Sequence, residues 1–146
     1  MGLTLSPGQS LFLDTAPLIH LFEEHEQYLA PVQRALDDAH ANGVHLVSSM
    51  VTYIEILTAP TREGHTALAA RYREYLTNSE GLSIYPLNIT VADEAARLRA
   101  QHALRTPDAI QMATAMVCGV DHFLTNDRQL SRVPGISVVI VADLVV

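Results

Sequence analysis

Apolar residues in this chain follow two rhythms, and the rhythms alternate. The runs "SLFLD" (10–14), "VHLVSS" (44–49), "LSIYPL" (82–87), "DHFLTND" (121–127) and "ISVVIVA" (136–142) are short and rich in β-branched or aromatic residues, which predicts buried strands. Between them apolar positions recur every three or four residues, the period of a helix face. "TAPLIHLF" (15–22) predicts a helix with Pro17 tolerated in its first turn. "YLAPVQRALDDAHANG" (28–43) sets Val32, Ala35, Leu36 and Ala39 on one stripe and ends at Gly43. "MVTYIEILTAP" (50–60) predicts a third helix, capped by Ser48 or Ser49 and ended by Pro60. "EGHTALAARYREYLTNSEG" (63–81) predicts a fourth, stopped by Gly81. "TVADEAARLRAQHAL" (90–104) is amphipathic, with Val91, Ala95, Leu98 and His102 in line. "RTPDAIQMATAMVCGV" (105–120) is apolar nearly all round, with Thr106 expected as N-cap and Pro107 as its first residue.

Strands alternating with helices imply an α/β fold around a mainly parallel sheet of about five strands. No linker, repeat or low-complexity stretch divides the chain, so residues 1–146 are expected to form one domain. Composition agrees: 49% hydrophobic and 17% charged residues suit a packed globule and exclude disorder. No run approaches the ~18 apolar residues of a membrane span. The opening "MGLTLSPGQS" lacks Arg and Lys, so no secretory signal is expected. Gly2 and Ser6 match a loose myristoylation pattern, one short enough to recur by accident. The single cysteine, Cys118, forms no internal disulfide and fits a reducing cytoplasm.

Charge narrows the function. The net charge is −7, and all nine basic residues are Arg. An acidic chain grips phosphate backbones poorly, so any nucleic-acid site must create its own positive field from cations or local Arg. The absence of Lys excludes a P-loop and the phosphate-accepting receiver domains, and no glycine-rich dinucleotide fingerprint is present. Seven His show no metal-ligand spacing, and no G-x-S-x-G elbow supports a serine triad.

Four acids remain. Asp14 closes the first strand, Glu55 lies in the second turn of the third helix, Asp108 sits in the first turn of the sixth, and Asp127 lies just past the fourth strand. In a parallel sheet, strand carboxyl ends and helix N-termini share one edge, where ligands bind. Taken alone each acid has an ordinary role. Asp14 and Asp108 suit helix starts, Asp127 suits a turn, and Glu55 suits a solvated edge beside Tyr53, Ile54, Ile56 and Leu57. Together they conflict, because two carboxylates ~5 Å apart repel by about 3 kcal/mol at an effective dielectric of 20. Either the group stays partly protonated or a divalent cation occupies it. Oxygen-only donors favour Mg²⁺ or Mn²⁺ over zinc.

The segments "LFLDTAPLIHLF", "VTYIEIL", "RTPDAIQMATA" and "FLTNDRQL" resemble the four acidic motifs of the PIN-domain nucleases. Their order and spacing are most similar to the VapC toxins of type II toxin–antitoxin pairs, over nearly the whole chain. The resemblance implies a three-layer α/β/α sandwich and a Mg²⁺- or Mn²⁺-dependent endoribonuclease. It makes Asp14 and Asp108 the principal metal ligands, Glu55 a third acid, Asp127 the acid that completes the site, and Thr125 a hydrogen-bonding residue that orients them. The chain departs from many relatives in carrying Pro107 before Asp108, where they have a small residue.

Arg105 and Arg128 flank two of the acids and are candidate phosphate grips, with surface ion pairs as the alternative. Arg71 and Arg73 share an exposed helix and are expected to be solvated; Tyr53, Tyr72, Tyr75 and Tyr85 are expected in packing more than in base stacking. The apolar "LIHLF" (18–22) and the 28–40 helix predict a groove for a partner. The expected partners are an RNA substrate, an antitoxin that covers or invades the site, and a second copy in a homodimer, in the cytoplasm. The alternatives are a catalytically inactive PIN-like interaction module, and a PIN nuclease acting in RNA maturation or on DNA.

Overall fold

The five apolar runs become five parallel strands: β1 (Ser10–Leu13), β2 (His45–Ser49), β3 (Leu82–Tyr85), β4 (His122–Thr125) and β5 (Ser137–Ile140). They lie in the order β3-β2-β1-β4-β5 in the computed structural model, which describes residues 3–144. Gly2, and with it the acylation pattern, lies outside the described residues. Six helices connect the strands: α1 (Thr15–Phe22), α2 (Leu29–Ala41), α3 (Met50–Arg62), α4 (Thr66–Asn78), α5 (Ile89–His102) and α6 (Thr106–Cys118).

Alternation along the strands builds two cores. Leu11 and Leu13 face one side of β1 and Phe12 the other. On the first side Leu11, Leu13 and Leu124 pack with Leu18 of α1, Val32 and Leu36 of α2, Ile56 of α3 and Leu76 of α4. On the second, Phe12 stacks on Phe123 with ring centroids 4.8 Å apart, beneath Val91, Ala95 and Leu98 of α5 and Ala109, Met112 and Ala113 of α6. Helices therefore cover both faces, as the α/β/α expectation required. The chain winds β1-β2-β3 outward, then returns to lay β4 on the other flank of β1. That reversal opens a crevice at the carboxyl ends of β1 and β4, the usual ligand position in open α/β sheets.

Several boundaries differ from the sequence reading. Pro60 does not end α3, which runs on to Arg62 with Pro60 buried inside it. Pro60 lies in the last turn, where its lost N–H bond and its ring perturb little of the remaining helix, and the break comes at Gly64 with φ +73. That glycine belongs to the turn, so α4 starts at Thr66. Thr106 is not the N-cap of α6; Arg105 holds the extended cap position without a side-chain bond, and Pro107 falls second. Ser49, rather than Ser48, caps α3 by accepting from the Val51 N–H, while Ser48 turns inward and donates to the Leu13 carbonyl. The apolar stripe of α2 is spent in the core; among the described residues the exposed large apolar side chains are Ile54, Leu87 and Ile89.

Gly119 ends α6 at φ +67, and the Val120 N–H returns to the Ala115 carbonyl. A Cβ there meets nothing within 4 Å, so Gly119→Ala adds only backbone strain. It is expected to cost about 1 kcal/mol in urea unfolding, with no loss of secondary structure.

Candidate active site

Asp14 is the first residue after β1, and its own N–H continues the ladder to the Leu124 carbonyl at 2.9 Å. Being the N-cap of α1 fixes its side chain: Oδ1 accepts from the Thr15 N–H at 2.8 Å. The same oxygen accepts from Gln111 Nε2 at 3.0 Å, and Oδ2 accepts from the Thr125 hydroxyl at 2.7 Å. Thr125 ends β4 and is fully buried, and its Oγ1 also accepts from the Asp127 N–H at 3.1 Å.

Burial pushes the Asp14 carboxyl above the ordinary carboxylate range, against the three hydrogen bonds that favour its charged form, and the neighbouring Asp108 charge pushes it further. Asp108 projects from the first turn of α6, where the helix dipole favours a negative charge. Its Oδ2 lies 3.2 Å from Nε of Arg105, an arginine that is 80% exposed, so the pair is solvent-screened. Asp108 and Asp127 line a common cleft of about 230 Å³, with Arg105, Gln129 and Arg132 on its walls. Asp127 Oδ1 accepts from the Gln129 N–H at 2.9 Å, capping the short 3₁₀ turn Arg128–Arg132.

Glu55 reaches the site by a different route. It stands exposed on α3, and its Oε1 accepts from the Thr15 hydroxyl at 2.8 Å. Thr15 therefore joins Asp14, through its N–H, to Glu55, through its hydroxyl. The Glu55 side chain also borders a hollow of about 160 Å³ between α1, α3 and α4, lined by Ile19, Phe22, Ile56 and Tyr72.

Beneath Asp14 lies a polar layer. Gln111 is 2% exposed and packs among the apolar residues of α6. Its Nε2 donates to Asp14 and, at 2.7 Å, to the Thr52 hydroxyl, while its Oε1 accepts from Ser49. Every buried side-chain polar atom among the described residues has a partner. Sequence reasoning did not single out Gln111, Thr15 or Thr52. The available signal was an amide one helical turn after Asp108, on a helix otherwise packed with Ala, Met and Ile. The cleft arginine Arg132, whose Nη1 donates to the His102 carbonyl at 2.6 Å, was also missed.

The two candidate phosphate grips fare differently. Arg105 faces Asp108 in the cleft. Arg128 turns away to Asp143 in a two-nitrogen pair, and its guanidinium holds that carboxyl below the usual range. The expected solvation of Arg71 and Arg73 holds, for both are exposed. Tyr72 stacks on Phe22 at 4.7 Å, with Tyr75 edge-on at 5.0 Å.

Among the described residues, no three His, Cys, Asp or Glu side chains lie close enough together to hold an ion by themselves. Asp14 and Asp108 form an adjacent pair of hard oxygen donors, one buried and both acidic. That set fits Mg²⁺ or Mn²⁺, ions that accept one or two carboxylates and keep several waters. It does not fit zinc, for which nitrogen or sulfur donors are wanted.

A doubly wound parallel sheet with a supported carboxylate at its reversal point belongs to the α/β class whose ligand position is that edge. The PIN domain family model matches residues 11–136, and the chain belongs to that family. Among solved structures it is similar to a toxin–antitoxin complex from Klebsiella pneumoniae, with 24% identity over 90% of this chain and 97% of that one and a TM-score of 0.69. It is similar to VapBC2 from Rickettsia felis bound to a promoter DNA fragment, with 13% identity, 90% and 98% coverage and a TM-score of 0.73. Mycobacterium tuberculosis VapC20, a toxin that cleaves the sarcin–ricin loop, matches with 15% identity, 77% and 86% coverage and a TM-score of 0.61. At these identities the likeness is one of fold. A comparison with curated proteins gives no match.

Proposed function

We propose that this chain is a Mg²⁺- or Mn²⁺-dependent endoribonuclease, the toxin of a VapBC-type pair. The observation that carries the reading is the Asp14 carboxylate. It is buried at the sheet reversal and held by Thr125, Gln111 and the Thr15 N–H, and burial, with Asp108 nearby, works against its charged form. A domain of 5–15 kcal/mol total stability does not keep such repulsion without a use for it. Family membership supplies the nuclease class. The RNA substrate and the antitoxin partner are supported by structures similar in fold, one a toxin that cleaves the sarcin–ricin loop and others toxin–antitoxin complexes.

Asp14 and Asp108 are the principal ligands in this reading, with Glu55 and Asp127 completing the acidic edge and Thr125 orienting Asp14. A bound divalent ion neutralises charge on the scissile phosphate and lowers the pKa of a bound water. The chain's residues do the rest. The cleft between Asp108 and Asp127 receives the backbone, Arg105 and Arg132 face its phosphates, and Glu55 or Asp127 accepts the proton released by the attacking water. The binding and cleavage occur in the cytoplasm, by a homodimer in one domain of residues 1–146.

The closed Arg105–Asp108 pair favours a second reading, an inactive interaction module whose acids serve as caps. Calorimetry separates the two. Mn²⁺ is expected to bind the wild-type chain and not Asp108→Asn, and EDTA is expected to stop cleavage of single-stranded RNA. Wild-type protein that binds no Mn²⁺ and leaves RNA intact would establish the module instead.

A further inference from the structure

Three rings gather where α1 hands over to α2. His20 meets His25 edge-on at 4.7 Å and Tyr28 at 5.0 Å, and His25 stacks on Tyr28 at 4.7 Å with 14° between planes. All three are half-buried, so their ring surface is not consumed by the core. The segment between them is held rigidly. Glu24 takes a left-handed φ of +52, the His25 N–H returns to the His20 carbonyl, and His25 Nδ1 accepts from the N–H groups of Gln27 and Tyr28 at 3.1 Å. A non-glycine residue in that conformation carries about 1–2 kcal/mol of strain. Strain of this kind persists where a fixed geometry is useful.

The cluster borders the acidic edge. The His20 ring nitrogen lies 3.4 Å from Asn126, the residue between Thr125 and Asp127. His20 thus ties the ring cluster to the loop that carries Asp127. A net charge of −7 gives the protein little general attraction for a polyanion. Stacking supplies affinity without net charge, because every base has a π-face.

We propose that His20, His25 and Tyr28 form a stacking platform for one unpaired nucleobase of the strand cleaved at the Asp14–Asp108 edge. The proposal rests on the nuclease reading above and extends it to a single-stranded, unstacked nucleotide next to the cleavage position. The rings take the base of that nucleotide, next to the loop that carries Asp127.

The test uses the Asp14→Asn chain, so that bound RNA is not cut, and fluorescence anisotropy with a labelled single-stranded RNA in which one abasic nucleotide is walked along the sequence. One abasic position is expected to weaken binding about tenfold, and Tyr28→Leu to weaken the intact strand by a similar factor. Combined, the two losses are expected not to add, while Tyr28→Phe keeps full affinity. Should Tyr28→Leu melt early, His20→Leu repeats the measurement. Intact affinity in the folded leucine variants, or abasic penalties that add in full at every position, would overturn the platform. Cleavage by the wild-type chain is scored separately. RNA cut with no effect of either leucine variant overturns the platform alone, and RNA neither cut nor bound overturns the nuclease reading with it.

Discussion

Asp14→Asn is expected to abolish RNA cleavage and at the same time make the metal-free protein more stable at neutral pH. The amide keeps the acceptor that Thr15 and Gln111 use and can donate to the Thr125 hydroxyl, so the packing survives. What it removes is a buried charge beside Asp108. The sign follows from linkage. Because the folded Asp14 carboxyl titrates above its unfolded value, the folded state binds more protons across that interval, and stability falls as pH rises through it. The residue's favourable contribution is complete in acid, below the unfolded value, and is lost once pH passes the folded one. Thermal melts from pH 4 to 8 in EDTA should therefore show the wild type losing ground to Asp14→Asn as pH rises. Excess Mn²⁺ should reverse the order, since an ion held only by the folded wild type adds about 2.7 kcal/mol at roughly 100 times its dissociation constant. Loss of several kcal/mol of transition-state stabilisation corresponds to a rate decrease of about 10³-fold or more. A variant no more stable than wild type at pH 8 without metal would show that the acidic edge stores no electrostatic load.

Gln111→Leu is the second large effect. Leucine fills nearly the same volume but removes one acceptor and two donors at a position 2% exposed. Ser49 loses its acceptor, and Thr52 and Asp14 each lose a donor. Orphaned buried groups cost about 1–3 kcal/mol each, so urea unfolding is expected to show about 2–4 kcal/mol of destabilisation after partial rearrangement. If Asp14 holds the proposed ion, loss of the hydrogen bond that orients it is expected to lower activity a further 10- to 100-fold, on the order found for outer partners of metal ligands. Gln111→Glu should be harsher at neutral pH and recover in acid, because it sets a second carboxyl against Asp14. A Gln111→Leu chain with wild-type stability and cleavage would reduce the polar layer to packing.

The sequence carried the fold well where one force dominated. All five strands lie within the apolar runs, and α1 spans its expected residues, because strand burial on both faces and a proline in a first turn leave few alternatives. Helix ends were less legible. Whether Pro60 stops a helix or rides inside it depends on the turn at Gly64, and whether Thr106 or Arg105 caps α6 depends on backbone angles that side-chain identity does not set. The places of Asp14, Asp108 and Asp127 at the sheet edge were legible, because topology dictates them. Their supports were not, since Gln111 is 97 positions from Asp14 and only the folded crossing of α6 over β1 joins them. The ion pair of Arg128 was one of the two roles its sequence context allowed, but its partner was not legible, since Asp143 arrives from the chain's far end.

Thr15, Ser49, Gln111 and Thr125 come from four separate stretches of chain, yet all support one carboxylate or the layer beneath it. Translation delivers Thr125 only when most of the polypeptide has already emerged. A ribosome-bound fragment thus carries acids without the scaffold that aims them. Synthesis of the chain and completion of its acidic edge are thus separated by the last folding event.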